Sequence, residues 1–247
     1  MLTLIRAEVL KLRTVRGPWL LLAAGPLLVI AGISGLVVSG GDLHDPATQA
    51  KALAHVGLTS VFALAFGILA VAGEYRHKTI TDTFLSTPAR GRVIVAKLAV
   101  SAVAGALTAV LSTLVGLGVA AAWWSDKGAS FGWGQSAMWS TAGGGIAWNA
   151  AFAAMGVGVG ALIRNLAGAI AAALAWIALV EGIVGQLIGN LARWLPFYAG
   201  QALGAGGSTS VFPEHLLPRW GAAAVLAVYT AVFAAAAVAV TARRDVA

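Results

Sequence analysis

Apolar runs of about 20 residues or more, the length a helix needs to cross roughly 30 Å of hydrocarbon, occur six times in this chain. No other feature constrains the fold as strongly. The runs cover residues 18–39, 52–72, 93–124, 137–163, 166–188 and 220–241. In hydrocarbon a backbone must satisfy its own hydrogen bonds, so runs of this length read as helices. The third and fourth are over-long and are expected to tilt or to extend past the bilayer. Composition agrees: 60% of the 247 residues are apolar and 10% are charged, against about a quarter charged in soluble domains. The expected fold is an all-α integral membrane protein with six transmembrane helices, a single transmembrane domain over 1–247.

The net charge of +7 invites a nucleic-acid reading, but no soluble segment is long enough to carry a basic face, so nucleic acid is not an expected partner. The basic residues mark a membrane side instead. With the N-terminus inside, the inner segments hold Arg6, Lys11, Arg13, Arg16, Arg76, Lys78, Arg90, Arg92, Lys97, Arg164, Arg243 and Arg244, and the outer ones only Lys51, Lys127, Arg193 and Arg219. That bias puts both termini in the cytoplasm of a multi-pass protein of the plasma (cytoplasmic) membrane, with the lipid bilayer as its first partner. Trp123, Trp124, Trp133, Trp139, Trp194 and Trp220 fall near the outer boundary, as an aromatic belt of lipid-facing anchors does. The absence of cysteine excludes disulfides and thiolate chemistry. The basic start before an apolar run is arranged as in a signal peptide, but the run is longer than the apolar region of a typical signal and reads as a retained first span.

Two segments outside the runs carry structure of their own. In residues 1–17, Leu2, Ile5, Val9 and Leu12 share one helical face while Arg6, Lys11, Arg13 and Arg16 mostly lie away from it, which suits an interfacial amphipathic helix. A positive-inside anchor alone is the alternative. Gly17 and Pro18 then provide a bend into the first span. Residues 189–219 contain three prolines and a Gly/Ser cluster. They read as an extracellular or re-entrant cap over a pathway, or as a passive connector.

Motifs for autonomous chemistry are sparse. No G-x-x-x-x-G-K-[ST] occurs, so the chain has no P-loop for ATP. No metal-spaced cluster occurs either, His44, His55, His77 and His215 being scattered. No catalytic, cofactor-binding or metal residue is therefore expected. "GISG" at residues 32–35 matches the G-x-S-G of rhomboid-type intramembrane serine proteases, and Ser34 and His55 both fall near the outer boundary. In that family the serine lies in the fourth span and the histidine in the sixth, and glycine and serine are common packing residues. Glu181 is the one acid well inside a run. It is a candidate for a substrate pathway or gate, or for an interhelical hydrogen bond; Asn149 and Gln186 are weaker candidates. Small-x-x-x-small spacings such as Gly156 to Gly160 read as close helix packing.

The polar segment "GEYRHKTITDTFLSTPARGR", residues 73–92, joins the second and third runs. Glu74 stands at the membrane edge, and Arg76, His77 and Lys78 follow. Thr and Asp residues then offer caps for a short helix with Phe84 and Leu85 as an apolar tip. Pro88 disfavours helix at Thr87, and Arg90, Arg92 and Lys97 lead back in. Such a tip in a basic frame suits a partner's groove.

With its order of glutamate, basic-x-Thr-Ile, hydrophobic pair, Pro, Arg and Lys, this segment resembles the one after the second span in permease subunits of type-2 ATP-binding-cassette (ABC) exporters. Many members have a glycine where Lys78 stands. "AEVLKLRTVRGPWLLL" is similar to that family's N-terminal interfacial helix, and "RWLPFYAGQAL" to the segment before its last span. The resemblance implies an ABC transporter permease that pairs with a second permease chain, as homo- or heterodimer, and with two copies of an ABC ATPase subunit. ATP and Mg would be bound by that partner and none by this chain. It also implies that residues 73–92 form a cytoplasmic coupling helix between spans two and three. Glu74 then sits beside the interfacial helix, Thr83, Phe84 and Leu85 on the docking surface, and Arg90 and Arg92 beside it. A non-transport membrane scaffold or sensor subunit shares this topology.

Overall fold

The computed structural model describes residues 1–205 and 216–243. His215, Arg244 and residues 206–215 of the long connector lie outside the described residues. Among the described residues the chain is all helical: α1 (Leu2–Thr14), α2 (Arg16–Val38), α3 (Pro46–Leu58), α4 (Ser60–Arg76), α5 (Ile80–Ser86), α6 (Arg90–Asp126), α7 (Ser136–Ile163), α8 (Leu166–Ala175), a π turn (Trp176–Glu181), α9 (Gly182–Leu187), α10 (Gly189–Ala192), α11 (Pro196–Gly204) and α12 (Arg219–Arg243). Six helices or helix pairs are long and apolar enough to cross a membrane: α2, α3 with α4, α6, α7, Leu166–Leu187, and α12. Each contains or nearly contains one of the six apolar runs.

The second span is longer than its apolar run and is broken in the middle. Pro46 supplies the first turn of α3, where the missing N–H costs nothing, and Asp45 caps it by accepting from the Ala47 N–H. The helix is then interrupted for one residue at Thr59, which keeps right-handed helical backbone angles. The fifth span loosens to a π turn that ends at Glu181, a local widening that recurs at functional positions.

The centre of the bundle is set by α3, α4 and α7. In an 18-residue apolar stretch of each of these two spans 67% and 61% of residues are buried, against 22%, 17% and 11% in the corresponding stretches of α2, α12 and Leu166–Leu187, which are the outer helices. Backbone contact between α4 and α7 depends on glycine. A side chain at Gly67 would strike the Ala153 carbonyl, and one at Gly156 the Leu64 carbonyl. The small-x-x-x-small spacing is thus a packing device.

One end of the bundle gathers the N-terminus, α5, the start of α6 and the end of α12: Met1, Arg90, Arg92, Val238 and Ala242 line one hollow there. The other end is tied by loops. Gln49 Oε1 accepts from the Gly132 N–H at 3.0 Å, and Trp124 Nε1 donates to the Leu43 carbonyl at 3.0 Å. Trp124 is therefore not a lipid-facing anchor; it is fully buried, because its indole holds that loop, whereas Trp133, Trp139, Trp194 and Trp220 are exposed. The connector after the fifth span is not merely a cap. Its α11 presses Gly200 against the Trp148 ring and Leu203 against Gly144 of α7, and six of the nine α11 residues are buried.

Candidate functional site

The polar segment folds as a turn and a short helix. Lys78 takes a left-handed backbone with positive φ, the conformation glycine adopts without penalty. Thr79 sits at the N-cap of α5 but its side chain caps nothing, and Thr87 is extended before Pro88. The expected apolar tip is corrected in one respect. Ile80 and Phe84, four residues apart, share one face of α5 and are buried with Val93 of α6 and Leu4 of α1 nearby. The Arg90 guanidinium lies 5.4 Å from the Phe84 ring centre. Leu85, about 100° further round the helix, is 77% exposed and forms the tip alone. Arg76, Lys78, Pro88 and Arg92 are exposed around it.

Behind this segment lies a four-charge cluster. The Lys97 ammonium of α6 is fully buried and donates to Glu8 Oε2 of α1 at 2.8 Å, to Glu74 Oε1 of α4 at 2.6 Å and to the Ala70 carbonyl at 3.0 Å. Lys11 donates to Glu8 Oε1 at 2.9 Å, to Glu74 Oε1 at 2.8 Å and to Thr83 Oγ1 of α5 at 3.3 Å. Each ammonium spends all three of its protons, and two carboxylates face two cations, so the cluster is formally neutral. It ties α1, α4, α5 and α6 together at one point. Burial works against the charge on Lys11, but the hydrogen bonds it donates to Glu74 and Glu8, with their negative charge, outweigh it and hold its pKa above the ordinary 10.5. A cavity of about 430 Å³ adjoins the cluster between α1 and α4, walled by Leu12, Pro18, Phe66 and Leu69.

Glu8 escaped the sequence reading, which followed only the apolar face of α1. Two signals pointed to it: it is the only acid ahead of Asp42, and Lys97 sits inside an apolar run, where a cation needs a counter-charge.

The three pathway candidates of the sequence are not brought together. Glu181 is fully buried at the end of the π turn. Its oxygens accept from Trp176 Nε1 at 3.1 Å, from the Phe197 N–H at 2.9 Å and from the Tyr198 N–H at 3.3 Å. Those amides belong to the first turn of α11, whose N-cap, Leu195, has no acceptor of its own. An N-cap usually carries Ser, Thr, Asp or Asn; here the acceptor arrives from another helix. Glu181 therefore fastens α11 to the fifth span. Beside it a cavity of about 400 Å³ is lined by Leu64, Phe152, Met155, Trp176, Tyr229 and Phe233 among others.

Asn149 of α7 serves the break at Thr59. Its Nδ2 donates to the Val56 carbonyl at 3.0 Å, and its Oδ1 accepts from the Thr59 hydroxyl at 2.9 Å. The Val56 carbonyl also accepts from the Thr59 N–H at 3.3 Å, so Asn149 adds a brace between α7 and the break. Gln186 is exposed on α9.

Ser34 and His55 do not pair among the described residues. Ser34 Oγ accepts from Trp123 Nε1 at 3.1 Å, and His55 Nδ1 lies 3.0 Å from the Ala52 carbonyl.

The chain matches no protein-family model and no curated protein sequence.

Proposed function

We propose that this chain is the membrane permease subunit of an ABC transporter of the type-2 exporter kind, working with a second permease chain and two separate ATPase subunits in the cytoplasmic membrane. The end that carries α1, α5 and both described chain ends faces the cytoplasm on this reading, in keeping with the distribution of Lys and Arg. ATP and Mg are handled by the partner, since this sequence has no P-loop.

The observation that carries the reading is the four-charge cluster behind α5. A partner pushing on the exposed Leu85 moves a helix of seven residues that is attached at three points. Thr83 is bonded to Lys11, Phe84 is packed on Val93, and the turn before α5 leads into Glu74. Through Lys97 the same push reaches α6, and through Glu74 it reaches α4, so displacement at the membrane edge becomes a rigid shift of whole spans. A solvated connector needs none of these attachments. The 400 Å³ cavity that Glu181 lines is then a candidate stretch of the substrate path, with the Glu181 carboxylate held in its wall by the α11 amides.

The test is purification of the tagged full-length chain from its native membranes. A P-loop ATPase with measurable ATP hydrolysis should accompany it, and Leu85→Asp should reduce the accompanying ATPase at least about tenfold, the loss typical of a central interface side chain. The amount of inserted permease should not change. Phe84→Asp is the wrong probe, because it places a charge in the α5 core. Absence of any ATPase from the wild-type preparation, with the chain intact, would overturn the reading in favour of a scaffold or sensor subunit. Undiminished ATPase with Leu85→Asp would remove α5 as the docking element.

A further inference from the structure

A further cavity borders the one beside the charge cluster and shares Leu12 and Pro18 with it. It is a lateral groove of about 560 Å³ between α1 (Ile5, Val9, Leu12, Arg13), the first turns of α2 (Pro18, Trp19, Leu22) and the flank of α6 from Ala99 to Leu111. The lining is apolar apart from Arg13, which enters from α1, and Thr108 of α6. Arg13 is exposed and makes no ion pair among the described residues, while neighbouring Lys11 is fully engaged in the charge cluster. Arg16 follows at the start of α2, whose first turn carries no side-chain cap.

We infer that this groove binds an anionic phospholipid of the adjacent leaflet, with one acyl chain along α6 and the headgroup phosphate on Arg13. The length supports a lipid. At 1.5 Å rise per residue, Ala99 to Leu111 covers about 18 Å, close to the roughly 15 Å of hydrocarbon in one leaflet. The position of the charge selects the headgroup. One guanidinium and an uncapped helix start stand at the level of the interfacial helix, where a phosphodiester with extra negative charge gains most. Trp19, exposed at the mouth, is placed as an interfacial anchor. A free phosphate has no use for the apolar length. The inference holds whether or not an ATPase docks on α5.

The full-length chain is reconstituted in vesicles of equal phosphatidylglycerol and phosphatidylcholine, extracted gently, and its retained lipids are counted by native mass spectrometry. Wild type should retain phosphatidylglycerol over phosphatidylcholine by about fivefold, the factor expected for one basic residue at a charged surface. Arg13→Gln, at a site that touches no other side chain by charge, should bring the ratio close to one. Ala104→Trp, which fills the groove, should lower retention of both lipids, whereas Leu114→Trp on the exposed flank of the same helix should not. A wild type without preference, a preference that survives Arg13→Gln, or full retention by Ala104→Trp overturns the proposal. So does an Ala104→Trp variant that keeps its lipids but converts a dimer to a monomer, which would assign the face to a second copy.

Discussion

Two parts of this molecule bury carboxylates, and they do so by opposite means. At the end that carries α1, Glu8 and Glu74 are met by Lys11 and Lys97, charge against charge across three helices. In the fifth span Glu181 is met by an indole N–H and two backbone amides at the start of α11, and no lysine or arginine bonds to it among the described residues. The first arrangement is a joint whose parts depend on one another: removing one member leaves its partners charged and buried. The second is a hook, in which the helix N-terminus is already biased toward a negative group and the loss falls on a few N–H donors. The joint therefore suits transmission between elements that move, and the hook suits a fixed wall.

The largest effect should come from Lys97→Met, which keeps much of the side-chain volume and removes the central charge. Breaking a buried pair costs about 3 to 5 kcal/mol, read as a fall in the unfolding midpoint of the purified protein in detergent. The double variant Glu74→Gln/Lys97→Met leaves the Glu8 and Lys11 pair and should recover more than half of that loss, the signature of direct coupling. If the two substitutions simply add, the cluster is not a joint and the contrast with Glu181 disappears.

The hook should yield less. Glu181→Ala strands the Phe197 and Tyr198 amides, at about 1 to 3 kcal/mol, and hydrogen exchange at those two amides should quicken while α4 and α7 stay protected. Glu181→Gln retains an acceptor oxygen and should keep part of the protection. Gln186→Ala, exposed on the same span, is the control and should change nothing. Unaltered exchange in Glu181→Ala would mean that α11 is held by Trp148 and Gly144 alone.

The difference between the two arrangements was only partly legible in the residues. Six spans follow from six apolar runs, because length against hydrocarbon thickness leaves few alternatives. Residue 84 was misplaced because "FL" reads as one apolar tip, although the Ile80 and Phe84 spacing assigns them a common face that Leu85 cannot share. Lys97 inside an apolar run announced a buried counter-charge without saying which acid, since its partners on α1 and α4 are set by tertiary packing. The Glu181 hook was foreshadowed by Leu195-Pro196, a helix start with Pro in place and no capping side chain. The break at Thr59 had only Gly57, two residues before it, as a local signal, and the brace that Asn149 of α7 supplies to it is set by tertiary packing.

The finest separation of joint from hook uses pH. Lys11 has its pKa held above 10.5 by Glu74 and Glu8 in the face of burial, so its charged form binds its proton more tightly folded than unfolded. The stability it supplies is complete below 10.5 and declines as pH climbs through the raised folded value. Lys11→Met should thus lower the unfolding midpoint by a nearly constant amount from about pH 7 to 10, and the gap from wild type should narrow above that. The amount is small, about 1 kcal/mol or less, because the side chain is 39% exposed and partly screened by solvent. The Glu181→Ala gap should show no such alkaline narrowing, since the indole and amide donors that it strands do not titrate there. A Lys11→Met gap that stays constant through the alkaline range would show that Lys11 acts by packing its methylenes, leaving Lys97 as the sole cation of the joint.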